Sequence, residues 1–300
     1  MPAYGHRTLF EPRPSSQLKH VRSNLLALAA IGLWASLASL GVLLSHVPPL
    51  LLTGLGLLMG SLVALPLSRL QWQAWRVPLR TLLLGVYGLF GFHLLLFLAL
   101  RHAPAVEANL INYLWPLGMV VLAPWLLPGF PLRWQHVASA CLGFAGAALA
   151  ILGRSSDTTN DYIGIPWGYG LALGSAFIWA SYSLWTRRVP AFPTAAVGSF
   201  ALSSGLLALG CHVWLEPATV LSGTDLFWIA LLGLGPLGGA FFLWDAALKQ
   251  GDPQHIGLLA FLTPPLSTVL LLMTQGQPLR WSIVLSTAMV VAAAFWGSRK

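Results

Sequence analysis

The sequence predicts an all-α polytopic membrane protein: ten transmembrane helices arranged as two inverted five-helix repeats. Three observations carry this. The chain is 57% hydrophobic and only 8% charged, against about 25% charged residues in a soluble protein. Its apolar residues fall into ten segments whose connections are mostly short, none able to hold a soluble domain. Short words also recur 145 to 148 residues apart. Each copy lies five segments from its partner, an odd number of crossings, so the two halves insert with opposite topology.

Residues 1–23 are polar, with Arg7, Arg13, Lys19, Arg22 and three prolines, and read as a disordered cytoplasmic tail. The apolar run after Ser23 is too long for the core of a cleaved signal peptide. The ten segments lie near 24–44, 49–67, 80–100, 105–127, 134–152, 166–186, 194–215, 226–247, 255–274 and 281–297. Most have about the length that a bilayer requires. With the N-terminus inside, the inner segments carry 13 of the 16 Lys and Arg residues. Cytoplasmic loops concentrate such residues, so both termini are expected in the cytoplasm. The net charge of +8 sits in short loops between spans, which argues against a nucleic-acid partner. Cys141 and Cys211 lie in apolar runs and read as small buried hydrophobes, with no disulfide or metal site.

The repeats set the domain boundaries. Leu26-Ala27-Leu28 and Trp34-Ala35-Ser36 recur at Leu171-Ala172-Leu173 and Trp179-Ala180-Ser181, 145 residues on. Leu84-Gly85, Gly91, Ala99-Leu100-Arg101 and Pro116 match Leu232-Gly233, Gly239, Ala247-Leu248-Lys249 and Pro264 at a spacing of 148. Pro131-Leu132-Arg133-Trp134 recurs 147 residues later as Pro278-Leu279-Arg280-Trp281. The first repeat is expected over 24–152, a periplasmic linker over 153–165 and the second repeat over 166–300. Inverted repeats with broken helices at matching places point to an alternating-access transporter whose site lies at the midplane. Glycines four apart (Gly56 and Gly60, Gly170 and Gly174, Gly235 and Gly239) predict close helix approach. Five spans per half complete a two-fold unit, so a monomer surrounded by membrane lipid is expected to suffice.

The chain is organised around Asn112-Tyr113-Leu114-Trp115-Pro116, inside the fourth span. Proline lacks an N–H and its ring displaces the carbonyl four residues back, here that of Asn112. Pro264, followed by Pro265, does the same to Ala260 and Phe261. Hydrocarbon cannot satisfy freed polar groups, so they should face protein or a watery cavity. At 100° per residue Asn109, Asn112, Tyr113 and Pro116 share a face, with Trp115 beside it. Phe90, His93 and Phe97 form a stripe on the third span. Ser175, Trp179, Tyr182 and Thr186 form another on the sixth, and Trp34 adds an indole from the first. Tryptophans are expected at span ends, whereas Trp34, Trp115 and Trp179 sit well inside. In the second half Asn112, Tyr113 and Trp115 correspond to Ala260, Phe261 and Thr263, so the polarity is one-sided.

Of eight Asp and Glu residues only Glu107 and Asp245 fall inside spans, each about a turn from an end. Solvated or gate-pairing roles suit them. His93 is the one histidine deep in a span, and a deep ionisable group is a functional candidate. No metal, nucleophile-elbow or phosphate-loop pattern is present, so neither an enzyme nor a cofactor is expected. A proton-coupled exporter of cationic drugs would want a deep carboxylate, and a phosphorylated-metabolite carrier a deep Lys or Arg. The sequence offers neither, which favours facilitated diffusion of a net-neutral substrate. A non-transporting membrane scaffold would need no polar cluster behind matched proline breaks.

Ten spans in inverted halves, each opened by a Trp-Ala-Ser helix, resemble the drug/metabolite transporter superfamily, EamA type, over the whole chain after the tail. The Asn112–Pro116 stretch is more specific. It resembles the Asn-Tyr-Leu-Trp-Pro stretch of the YddG-type aromatic amino acid exporters of bacterial inner membranes. That resemblance implies export of Phe, Tyr and Trp, with other neutral amino acids as a wider substrate set, through a central cavity. Tyr113 and Trp115 carry over as substrate contacts, and Thr263-Pro264-Pro265 fits the second-half counterpart. Trp34, His93, Asn109, Asn112, Trp179 and Tyr182 rest on helical placement, and Pro116, Pro264 and Pro265 are the expected hinges.

Overall fold

The computed structural model describes residues 16–103, 105–152, 167–274, 276 and 281–297. The expected linker 153–165 and the side chain of Glu107 lie outside the described residues. Among the described residues every regular element is helical, and the helices fall into ten rods. The first rod is α1 (Ser16–Ala35) and α2 (Leu37–Leu43); the second is α3 (Pro49–Ser61) and α4 (Ala64–Leu67). The third joins α5 (Leu79–Val86) to α6 (Phe92–His102) through a wide turn over Tyr87–Gly91. The fourth is α7 (Ala105–Asn112) and α8 (Trp115–Leu126), and the fifth is α9 (Trp134–Leu152). The second half repeats the scheme: α10 (Gly168–Trp185), then α11 (Val197–Leu215) behind a short turn, then α12 (Gly223–Leu234) and α13 (Ala240–Gln250) joined by a wide turn over Gly235–Gly239. A broken rod of α14 (Pro253–Ala260) and α15 (Thr263–Thr274) and a final α16 (Trp281–Gly297) complete it.

Six of these helical runs are long and apolar enough on their own to cross a bilayer, and α8 and α16 are shorter apolar helices. With the repeats they make a polytopic all-α membrane protein. The 148-residue spacing of the sequence words is also a spacing of shape. Both wide turns and both breaks begin 148 residues apart, at Tyr87 and Gly235 and after Asn112 and Ala260. The wide turns were not expected. Each adds a residue to the helical circuit, in the glycine-rich stretches Tyr87-Gly88-Leu89-Phe90-Gly91 and Gly235-Pro236-Leu237-Gly238-Gly239.

The first helix departs from expectation at its start. Residues 16–23 are not tail but the first turns of α1. No proline interrupts the chain between Pro14 and Pro48, and buried Ser23 donates to the Ala247 carbonyl at 3.1 Å. The prolines also act differently from an interior kink. Pro116, Pro264 and Pro265 sit in the first turns of α8 and α15, where a missing N–H costs nothing. The carbonyls of Asn112, Ala260 and Phe261 therefore lack the N–H donor four residues on that a continuous helix would supply. Among the described residues no loop or turn N–H reaches them or the carbonyl of Tyr113.

The rods pair as a pseudo-two-fold requires. α3 lies on α11 and α9 on α16, each with its repeat partner, and α8 lies on α14 of the partner rod, while α1 packs on α13 as α10 packs on α6. Glycine makes the close approaches. A Cβ on Gly60 would stand 2.6 Å from the Leu237 carbonyl oxygen, and one on Gly233 2.6 Å from that of Gly56. The other expected glycine pairs do less: Gly170 faces open space, and Gly235 and Gly239 belong to the wide turn. The cysteines correct their expectation too. Cys141 is exposed on α9 and Cys211 half-exposed on α11, on surfaces that hydrocarbon covers.

Candidate functional site

A cavity of about 250 Å³ lies in the middle of the bundle. Its floor is aromatic. The Trp34 ring lies 6.3 Å from that of Trp115, 5.8 Å from Trp179 and 5.1 Å from Trp244. Trp115 also meets Trp244 at 5.6 Å, nearly at right angles. Phe241 joins the group, 5.5 Å from Trp179 and 6.2 Å from His93. Perpendicular and tilted pairs set the positive edge of one ring on the negative face of the next.

Seven of the eight expected contact residues line the cavity: Trp34, His93, Asn109, Asn112, Tyr113, Trp115 and Trp179. The helix breaks explain how one sequence stretch supplies four of them. α7 ends at Asn112, the chain turns at Tyr113 and Leu114, and α8 starts at Trp115. Asn112 is buried and held to the sixth rod, where Ser175 Oγ donates to its Oδ1 at 2.8 Å. The side chains of Tyr113 and Asn109 have no hydrogen-bond partner among the described residues.

Tyr182, the eighth, stands outside the wall in this structure. It is buried outside the cavity, behind Trp179 at 5.4 Å and with its ring against Gly88. From Trp179 the helix carries it toward the sealed end. Pro116, Pro264 and Pro265 are buried behind the lining. Phe90 also stays outside, because the wide turn shifts the register of the third rod and brings Phe92 into the wall. Thr263 and Phe241 are wall residues that periodicity missed. Adding the repeat spacing to Trp115 and His93 finds both. Thr263 Oγ1 is buried with no hydrogen-bond partner.

The wall is electrically neutral. Among the described lining residues there is no Asp, Glu, Lys or Arg, and no described group of His, Cys, Asp and Glu could hold a metal. His93 Nδ1 lies 2.6 Å from the Leu89 carbonyl. A carbonyl only accepts, so Nδ1 carries the hydrogen and Nε2 is left for other partners.

The two ends of the cavity differ. Leu37, Gly41, Leu96, Phe97 and Asn109 extend its wall from the tryptophan floor toward the end of the bundle that carries Arg101. On the opposite side of the floor the bundle is tied shut. Trp244 Nε1 donates to Ser183 at 3.1 Å. Buried Asp245 accepts from Thr194 at 2.7 Å and pairs with Lys249. Arg187 donates to the Gly251 carbonyl at 2.8 Å and lies over the Phe130 ring.

The EamA-like transporter family matches the chain twice, over residues 21–152 and 166–298, one match per repeat. This chain belongs to the EamA-like transporter family. Relatives of the EamA-like chain include an aromatic amino acid exporter YddG from Ancylobacter novellus, 35% identical, covering 91% of this chain and 95% of that one. The exporter of the same name from Salmonella typhimurium is 28% identical, covering 90% and 94%. A biotin transporter of Escherichia coli is 24% identical over 81% of each chain. A solved crystal structure, 34% identical, superimposes with a TM-score of 0.85 and covers 93% of this chain and 96% of its own. The EamA-like chain is thus a multi-pass membrane transporter and not an enzyme.

Proposed function

We propose that this EamA-like transporter exports aromatic and other neutral amino acids across the bacterial inner membrane, by alternating access and facilitated diffusion. One observation carries the reading: a neutral, aromatic-floored cavity lies where two broken helices leave their carbonyls free. An amino acid is a zwitterion of no net charge. Its ammonium suits the carbonyls of Asn112 and Tyr113, both residues of the cavity wall. Its carboxylate suits the hydroxyls of Tyr113 and Thr263 and the amide of Asn109. Its side chain suits the rings of Trp34, Trp115 and Trp179. An aromatic contact adds about 0.5–1.5 kcal/mol beyond area burial. The volume of about 250 Å³ falls just under the range of roughly 300–1,000 Å³ for drug-sized ligands, as a small metabolite requires. The exporters named above support the substrate class. With both termini cytoplasmic, the Arg101 end faces the periplasm; a reporter fused after Lys300 should behave as cytoplasmic.

The test is uptake by proteoliposomes of labelled Phe, Tyr and Trp beside small neutral amino acids, Lys, Glu and biotin. Aromatic and neutral amino acids should cross and the charged ones should not. Transport of biotin, Lys or Glu with none of the aromatic set would overturn the reading.

A further inference from the structure

The inverted repeat says what the cavity looks like when the other end is open. In alternating access between such repeats, each half adopts in one state the arrangement its partner had in the other. Residues lining the open cavity now therefore name, through the repeat spacing, those that line it after the switch. Leu37 and Gly41 correspond to Tyr182 and Thr186, at a spacing of 145. His93, Leu96 and Phe97 correspond to Phe241, Trp244 and Asp245, at 148. The first five line the cavity, and all five partners are buried, four of them in the sealed end, as exchange demands.

The exchange is not neutral. The positions now open are leucines, a glycine, a histidine and a phenylalanine; their partners bring a phenol, a hydroxyl, an indole and a carboxylate. We infer that Asp245 becomes a wall residue of the cavity that opens toward Lys249, and that its carboxylate there takes the substrate's ammonium group. This rests on the amino acid reading above and adds to it a loading side and an unloading side. In the present state the same carboxylate is occupied by Lys249 and Thr194, and the position that replaces it at the open end is Phe97. Lys249 has other places to rest: its Nζ donates to the Phe192 carbonyl at 2.9 Å and lies 3.8 Å from the centre of the Phe192 ring. An entering ammonium can therefore displace it without stranding a buried charge. Such a site cannot alter the final concentration ratio of a passive carrier. It lowers the concentration at which the Lys249 side saturates, relative to the Arg101 side.

The test is transport kinetics in sidedness-controlled proteoliposomes, with Trp and the net-neutral N-acetyl-Trp amide, which has no ammonium group, as probes. In the natural protein the KM for Trp should be lower from the Lys249 side than from the Arg101 side, and acetylation should abolish that difference. Asp245→Asn should raise the Trp KM from the Lys249 side by about tenfold, the effect of losing roughly 1.4 kcal/mol of contact, and leave the other side unchanged. Lys249→Gln removes the same ion pair but keeps the carboxylate, so it should not raise that KM. Equal KM rises in Asp245→Asn and Lys249→Gln would make the pair a structural tie and overturn the inference. So would a side difference in the natural protein that survives acetylation, a readout that holds even if neither variant folds. A natural protein that moves no aromatic amino acid would instead fail the amino acid reading itself.

Discussion

Trp34 and Trp179 hold matching positions in the two repeats, and their indoles meet edge to face, centroids 5.8 Å apart and planes at 77°. The pseudo-two-fold axis of the molecule therefore passes through the floor of the cavity. His93 and Phe241, also repeat partners, meet across the same axis with planes at 75°. A residue on the axis stays central whichever end is open. Trp34→Leu and Trp179→Leu should accordingly weaken transport from both faces. One aromatic contact at about 0.5–1.5 kcal/mol corresponds to a KM rise of roughly 2- to 12-fold. A rise confined to one face would remove that tryptophan from the axis.

Trp115 and Tyr113 are neighbours in sequence but not in energetic role. Trp115 is 5% exposed and touches Trp34, Trp179 and Trp244. Trp115→Ala should abolish transport and also cost about 3–5 kcal/mol of stability. The Tyr113 hydroxyl has no hydrogen-bond partner among the described residues, and the residue is less buried. Tyr113→Phe should lower transport several-fold while the melting temperature in detergent stays within about 2 °C of the unaltered protein. Near-normal uptake by both variants would return this stretch to a packing role.

The helix breaks make a kinetic prediction. Pro116→Ala and Pro264→Ala restore an N–H four residues after Asn112 and Ala260, whose carbonyls lack that donor now. Each rod can then run on as one straighter helix. Turnover should slow while substrate affinity changes little, read as kcat against Kd for the same substrate. Lost binding with unchanged turnover at saturation would make the prolines pocket-shaping and not mobile.

Most of the fold was legible because its signals are periodic. Ten apolar runs and a 148-residue spacing suffice for the rods and their pairing, and proline positions suffice for the two breaks. The wide turns at Tyr87–Gly91 and Gly235–Gly239 were not, since an added residue in a helix leaves no apolar period of its own. That is why Phe90 was expected in the wall and Phe92 stands there. Tyr182 stands outside the wall for a different reason. A helical face extends past both sides of a cavity floor, and periodicity cannot say which side is sealed. The start of α1 was missed because polar residues 16–23 carry no hydropathy signal, although nothing in them breaks a helix. The repeat named Thr263 as the counterpart of Trp115, and Phe241 was within reach had it been applied to His93 as well.

Energy coupling follows from which ionisable groups can reach which side. A proton antiporter needs one titrating group exposed to both faces in turn and linked to substrate. Among the described lining residues His93 is the one side chain suited to carry such a proton, since no Asp, Glu, Lys or Arg stands with it. Its Nδ1 is committed to the Leu89 carbonyl, a bond that the neutral ring makes as well as the charged one, and no carboxylate lines the wall beside it. Asp245 is sealed from the open end by the tryptophan floor and by its own partners, so it cannot exchange a proton there. Gradient-driven transport that runs in both directions is the expected behaviour, its direction set by the amino acid gradient. Liposomes with an imposed pH gradient and equal Trp on both sides should show exchange of label without net accumulation. Sustained accumulation that disappears in His93→Gln would make His93 the coupling group, and accumulation that disappears in Asp245→Asn alone would give that role to the buried carboxylate.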